Sequence, residues 1–194
     1  MPQPTAYVFR SAEDTLTFCY DAACATRNGD TWEIPEVIEY LSDVEWQDEA
    51  IQKVIIEPSF ADYRPTSTVG WFGNLKKLTT IEGLEHLNTS CVTNMGGMFS
   101  GCSALTSLDL SHFDTSNVKM MISMFSGCSS LTTLDLSHFD TSNVKMMISM
   151  FFDCSSLTTL DLSHFDTSNV KMMSSMFFYC SSLTTLDLSH FDTS

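Results

Sequence analysis

Basic side chains are scarce in this sequence, where 9 lysines and arginines stand against 24 aspartates and glutamates and the formal net charge is −15. A protein that binds the phosphate backbone of a nucleic acid needs a basic surface, so nucleic acid is not an expected partner. The same charge disfavours anionic membrane surfaces. The sequence also lacks any long uninterrupted run of apolar residues, and it therefore predicts no membrane insertion.

Motifs of catalysis and cofactor binding are absent as well. There is no G-x-S-x-G, H-E-x-x-H, P-loop or G-x-G-x-x-G, and no C-x-x-C pair of the kind found in structural zinc sites. Ser137, His138 and Asp140 are neighbours in a repeated turn, with no reason to form a triad. The sequence predicts a protein that is not an enzyme and has no cofactor, no metal and no catalytic residue.

What the sequence does contain is a repeat of 26 residues. Residues 105–130 and 131–156 are identical at 23 of 26 positions, and residues 157–182 differ from the second copy at two. Residues 78–104 fit the same frame with one extra residue, and residues 51–77 fit it more loosely. A period of this length predicts a stack of coils with one continuous core.

The sequence of one coil predicts a short strand followed by a short helix or helical turns. Leu134 and Leu136 alternate around Asp135, as in a strand with one buried face. Val144, Met147, Met150 and Phe151 then recur on one face of a helix. The predicted fold class is an α/β repeat, a leucine-rich-repeat-like solenoid with one short parallel strand and one short helical turn per coil.

The predicted domains are an N-terminal capping region and a solenoid. Residues 1–50 lack the repeat and predict a β-hairpin across 7–20, a strand at 31–34 and a helical turn at 35–41, which together cap the core. The solenoid is assigned to 51–194, with degenerate coils 51–77 and 78–104, near-identical coils 105–130, 131–156 and 157–182, and a partial coil 183–194. That last coil has no cap, which predicts self-association through its open end.

The repeat resembles the bacterial BspA-like leucine-rich repeat surface proteins, whose units follow L-D-L-S-x-F-D-T-S-N-V-x-x-M-x-x-M-F-x-x-C. The match is close over residues 78–194. The resemblance implies an exported bacterial protein that meets host or neighbouring surfaces, with no catalytic residues. Residues 1–4 predict no signal peptide, so a secreted or cell-surface location is what the resemblance implies. Met120 and Ile122 depart from the Asn94 and Gly96 type that is usual in the family.

Cysteine and histidine recur once per coil, and each column has two interpretations. Buried cysteines would be a small apolar column, whereas the alternatives are a redox, metal or disulfide ladder. The histidines are interpreted as exposed turn residues, with a transition-metal or pH-sensing row as the alternative. Cys19 and Cys24 are a candidate disulfide in the cap. The columns are Cys102, Cys128, Cys154 and Cys180, and His112, His138, His164 and His190.

Two columns of aspartate run along the repeats. The column of Asp140 is interpreted as a turn cap that satisfies backbone N–H groups, and a cation between coils is the alternative. The column of Asp135 faces solvent between two leucines. Phe152, Phe178 and Tyr179 replace smaller residues and are either an exposed binding feature or the product of drift.

The predicted function is a non-enzymatic cell-surface adhesion or interaction module, because repeated weak contacts add along an array. Its partner would be a host or bacterial surface protein or glycan. The alternative is a structural stalk or spacer that displays another domain, since near-identical coils offer little position-specific surface. The predicted binding face comprises Asp109, Ser111, Thr133, Asp135, Ser137, Thr159, Asp161 and Ser163.

Overall fold

The computed structural model describes residues 3–27 and 29–192. Within that range the named strands form one open, mixed sheet in the order β3-β1-β2-β4-β5. The strands are β1 (Thr5–Ala12), β2 (Thr15–Asp21), β3 (Thr31–Glu33), β4 (Lys53–Ile56) and β5 (Thr80–Glu82). The predicted hairpin is confirmed as the antiparallel pair β1 and β2, and the strand expected at 31–34 is β3.

The sheet joins the first 50 residues to the repeats. β4 adds parallel to β2, with Leu16 opposite Val54, and β5 adds parallel to β4, with Val54 opposite Ile81. Phe18 on β2 packs its ring against Trp46, Phe60, Trp71 and Phe72 at centroid distances of 5.4–5.9 Å. One hydrophobic core therefore runs without a break from the hairpin into the coils.

The helical turn predicted at residues 35–41 is wrong. Tyr40 is extended, with φ −128° and ψ 152°, and a 3-10 helix begins only at Leu41 and ends at Asp43. Asp43 Oδ2 accepts the N–H groups of Glu39 and Tyr40, which fixes the chain as a turn rather than a helix. Three further 3-10 helices are Cys24–Thr26, Pro58–Asp62 and Leu84–His86.

The prediction of one strand per coil holds for the two degenerate coils, which supply β4 and β5, but it is wrong for the near-identical coils. There the segment 131–136 lies outside the named strands. A turn follows it at once, in which Ser137 donates its N–H to Asp135 Oδ1 at 2.9 Å and Phe139 donates to the Leu136 carbonyl at 2.9 Å.

In the near-identical coils the segment expected to form a short helix or helical turns consists of turns and lies outside the named helices, and its apolar residues were identified correctly. Val144, Met147, Met150 and Phe151 are completely buried. The backbone of this segment is a run of turns. Its N–H groups alternately donate to a carbonyl of the same coil and to a carbonyl of the next coil. Met150 donates within its own coil to Met147, whereas Phe151 donates across to Met176 of the next coil.

This alternation creates the backbone ladder that joins the coils. Parallel bridges run from Ser67 to Asn94 and onward through Met120, Met146 and Met172. Beneath the ladder, the phenylalanine rings form a column in which successive centroids lie 5.3–5.8 Å apart, the members being Phe72, Phe99, Phe125, Phe151 and Phe177. The coils therefore stack in register through residue 192, and the last two residues of the predicted coil 183–194 lie outside the described range.

Candidate functional site

Part of the predicted binding face is a groove on the surface of the coils. The groove has a volume of about 460 Å³, and Leu134 and Leu160 form its floor. The structure places four of the eight predicted residues along it, namely Thr133, Asp135, Thr159 and Asp161. Thr185 and Asp187 extend the groove by one coil. Sequence reasoning left these two out, although the 26-residue period pointed to them.

The three serines of the predicted face do not line this groove but form turns beside the aspartates. Ser111, Ser137 and Ser163 are exposed, but each donates its backbone N–H to the aspartate two residues earlier, at 2.9–3.0 Å. These turns hold each carboxylate in a fixed place along the face. Hydrogen bonds from the Ser137 N–H and hydroxyl keep the pKa of Asp135 below its ordinary value, and the Ser163 groups act in the same way on the pKa of Asp161.

The carboxylates of this face have no ion-pair partner among the described residues. The ion pairs there involve the cap and the first two coils, the last of them at Glu85 and His86. The only charged side chains in the lining of the groove are Asp135, Asp161 and Asp187. The face is therefore a row of uncompensated negative charge above an apolar floor.

Asp109, the remaining predicted residue, lies in a separate cleft between the coils 78–104 and 105–130. This cleft has a volume of about 350 Å³. The segment Leu78–Ser90 is one residue longer than its equivalent Leu105–Ser116. The chain accommodates the extra residue at Gly83, which adopts φ +75° and starts the 3-10 helix Leu84–His86. A Cβ at Gly83 would lie 2.2 Å from the Ile56 carbonyl oxygen, so only glycine fits.

The cysteine column has the structural role expected of an apolar column. Each thiol donates to the carbonyl of a phenylalanine one coil earlier at 3.0–3.2 Å, as Cys128 does to Phe99. Burial raises the pKa of Cys102 to about 12 and that of Cys128 well above its ordinary value. The thiols are free and stay protonated at neutral pH, which disfavours thiolate chemistry in the column.

The histidine column consists of exposed turn residues, as expected. The Ser163 hydroxyl lies 2.9 Å from His164 Nδ1. Among the described residues, side chains of at least three possible metal ligands come together in one group, Cys19, Asp21 and Glu57 in the cap. That group already holds a cation, because the Arg27 guanidinium lies 3.3 Å from Asp21 and 3.6 Å from Glu57.

Cys19 and Cys24, the candidate disulfide of the cap, are free thiols in the structure. Cys19 is completely buried beside Tyr7 and Phe9, and Cys24 packs against the same cluster. Desolvation, reinforced by Glu57, raises the pKa of Cys19 to about 12. Arg27 covers this cluster, since it donates to the Tyr7 hydroxyl at 3.0 Å and lies 4.7 Å above the Phe9 ring.

The D-T-S-N segment of the repeat joins three coils. Asp140 Oδ1 accepts the Ser142 N–H at 2.9 Å, which confirms the turn-cap interpretation. Thr141 is buried, and its hydroxyl accepts the N–H of Asp166 in the next coil and donates to the Asp166 carbonyl. Asn143 donates back to the Ser116 carbonyl of the previous coil at 2.8 Å. Sequence reasoning missed the threonine column; its occurrence once per coil was the available signal.

Apolar side chains emerge on the ladder side of the coils. Met120 and Ile122 line a third groove of about 490 Å³, together with Tyr40 and Leu41 of the cap. At the far end Phe152, Phe178 and Tyr179 form an aromatic cluster with centroid distances of 4.3–5.7 Å, and Phe178 and Tyr179 are exposed. In the described part of the chain, no helix is both long and apolar enough to traverse a bilayer.

Residues 66–191, well over half of the chain, match a protein family described as Mycoplasma protein of unknown function, DUF285. The chain belongs to this family. The DUF285 match covers the stacked coils from Thr66 onward, whereas the hairpin and β4 precede it. None of the curated proteins matches the chain.

Among solved structures, the chain is similar to the crystal structure of a leucine-rich repeat protein from Bacteroides ovatus. The two are 19% identical and superpose with a TM-score of 0.45, over 94% of this chain. The chain spans about half of the Bacteroides protein, 51% of its length.

Proposed function

We propose that the chain is a non-enzymatic interaction module of the BspA-like kind, a leucine-rich-repeat-like solenoid displayed at a cell surface. It binds a protein or glycan of a host or neighbouring cell through the groove of Thr133, Asp135, Thr159 and Asp161. The observation that carries this proposal is the groove itself, which combines leucines with exposed threonines and with carboxylates that have no ion-pair partner among the described residues. Repetition of the same row in each coil supports a binder whose weak contacts add along the array.

The binding part of the proposal is tested by removing residues 131–156. The deletion joins Ser130 to Leu157, and residues 157–182 restore nearly the same coil, so the stack keeps its frame. Full-length and shortened chains are compared on immobilised extracellular-matrix proteins and purified glycans. A binder loses affinity stepwise with each coil removed. Unchanged affinity, or no binding by either chain, would favour the stalk or spacer instead.

The location is tested by protease shaving of intact cells that make the protein, with mass spectrometry for the repeated peptide 146–152. Release from unbroken cells is the expected result for a surface array. Recovery of the peptide only after lysis would overturn the cell-surface proposal and favour an intracellular scaffold.

A further inference from the structure

The cleft at Asp109 is the position-specific feature of the repeat face. It lies where the segment 78–90, which has one extra residue and the turn at Gly83, meets the next coil. Leu134 and Leu160 are 7% exposed in the regular coils, whereas their equivalent Leu108 is half-buried, as is Ile81 across the junction. Leu108 and Ile81 are therefore more accessible in the cleft than Leu134 and Leu160 are in the regular coils.

Two carboxylates contribute negative charge to the lining of the cleft. Glu85 and Asp109 are both exposed and both belong to the lining, which contains no lysine or arginine. Hydrogen bonds from the Ser111 hydroxyl and N–H hold the pKa of Asp109 below its ordinary value. Within the described residues neither carboxylate pairs with lysine or arginine, and Glu85 has only His86, 3.9 Å away. Thr80 and Ser107 add hydroxyl groups to the walls.

A cleft lined by aliphatic side chains, hydroxyl groups and two carboxylates fits a side chain that has an aliphatic stem and a cationic head. Arginine has both, and its planar guanidinium carries five N–H donors that can serve carboxylates and hydroxyls on different sides. We propose that this cleft receives an arginine side chain from an extended segment of a partner protein, with Ile81 and Leu108 against its stem and Glu85 and Asp109 around its guanidinium. The proposal rests on the interaction function above and names the chemistry of the partner.

The test uses the purified, 15N-labelled chain and two peptides, acetyl-Gly-Arg-Gly-amide and the same peptide with citrulline. Citrulline keeps the shape of arginine and removes its charge. The arginine peptide is expected to shift the amide signals of Thr80, Glu85 and Ser107 to Asp109, with a dissociation constant on the order of 1 mM. The citrulline peptide should bind at least tenfold more weakly. Equal binding of the two peptides, or shifts confined to other residues, would overturn the proposal.

Matched variants separate the cleft from the general negative charge. Asp109→Asn and Asp140→Asn remove the same charge from turns in which the carboxylate accepts a serine N–H, and both amides can still accept it. We expect Asp109→Asn to weaken arginine binding at least fivefold and Asp140→Asn, which lies outside both the cleft and the groove, to change it less than twofold. Equal effects would mean that the peptide follows net charge alone, which contradicts a defined cleft.

A second pair tests the walls without changing charge. Ser107 and Thr132 are both exposed, and only Ser107 lines the cleft. Ser107→Tyr should abolish the shifts, and Thr132→Tyr should leave them intact. Binding that survives Ser107→Tyr would refute the site. Shifts of the cleft residues with maltotriose but not with the arginine peptide would assign a glycan instead. Because these titrations use the isolated chain, their failure leaves the cell-shaving result standing, and the reverse is also true.

Discussion

The cap and the near-identical coils use polar side chains in opposite ways. In the cap, charges pair with one another, as Arg27 does with Asp21 and Glu57. In the coils, aspartate, threonine and asparagine bind backbone groups of their own or an adjacent coil. The cap is thus held by contacts that occur once, whereas the coils repeat one set of contacts. The difference teaches that a repeat can fix its carboxylates with neutral backbone donors and so leave them without a cationic partner in the coils.

The largest expected effect comes from the aromatic core at the junction. Phe18→Ala removes a ring that packs on both the cap and the first coil, and we expect a loss of about 3–5 kcal/mol in the free energy of unfolding. Phe151→Ala removes a ring that stacks on its column neighbours Phe125 and Phe177, within the coils. Hydrogen exchange should show opening of the cap and first coils together in Phe18→Ala, but opening confined to the last coils in Phe151→Ala. Identical exchange patterns in the two variants would contradict the prediction that the cap and the coils open separately.

The same substitution, threonine to valine, should change the free energy of unfolding in opposite directions in two coils. Thr141→Val removes a buried hydroxyl that satisfies the N–H and carbonyl of Asp166, so we expect a loss of about 1–2 kcal/mol. Thr68 is buried where later coils have methionine, and its hydroxyl has no hydrogen-bond partner among the described residues. Thr68→Val should therefore raise stability by up to about 1 kcal/mol. Denaturant titration measures both, and a loss at Thr68 would show that its hydroxyl is satisfied after all.

A smaller effect is expected where coils require a left-handed backbone. Ser149 has φ +55°, and its equivalent in the coil 78–104 is Gly97 with φ +59°. Ser149→Gly should stabilise the chain by up to about 1 kcal/mol, because glycine adopts this conformation without steric strain. Ser130→Gly is the control, since Ser130 is not among the residues with positive φ, and it should destabilise slightly. A stability gain in both variants would exclude strain as the cause.

The smallest effect concerns pH. The turn hydrogen bonds lower the pKa values of Asp109, Asp135, Asp161 and Asp187. A lowered pKa in the folded state gives stability that is present above the unfolded value, about 3.9, and is lost as pH falls through the folded value. The denaturant concentration at the unfolding midpoint should therefore decrease when the pH is lowered below about 4. Replacing all four residues by asparagine should flatten that fall, and an unchanged pH profile would contradict the turn contribution.

Sequence patterns located the inward residues better than the backbone that carries them. The period placed the buried Val144, Met147, Met150 and Phe151 on one face, because burial follows from apolar side chains at repeated positions. The spacing of three did not distinguish a short helix from successive turns, and the structure has turns in which alternate N–H groups reach the next coil. The exposure of Thr133 and Asp135 was predictable from alternation, whereas their choice as a binding face came from the way leucine-rich solenoids generally bind. The cleft at Asp109 was not predicted, since a local pattern does not show how two coils meet where one has an extra residue.

The sequence by itself determined the repeat length, the columns of like residues and the charge. It did so because identical segments that cannot bury their apolar faces alone must stack in register. The tertiary structure alone decided which hydrogen bonds join the coils, where the chain turns left-handed, and how the cap meets the first coil. Each of these depends on contacts between residues far apart in the chain, such as Phe18 with Trp71. A local sequence pattern does not predict such contacts.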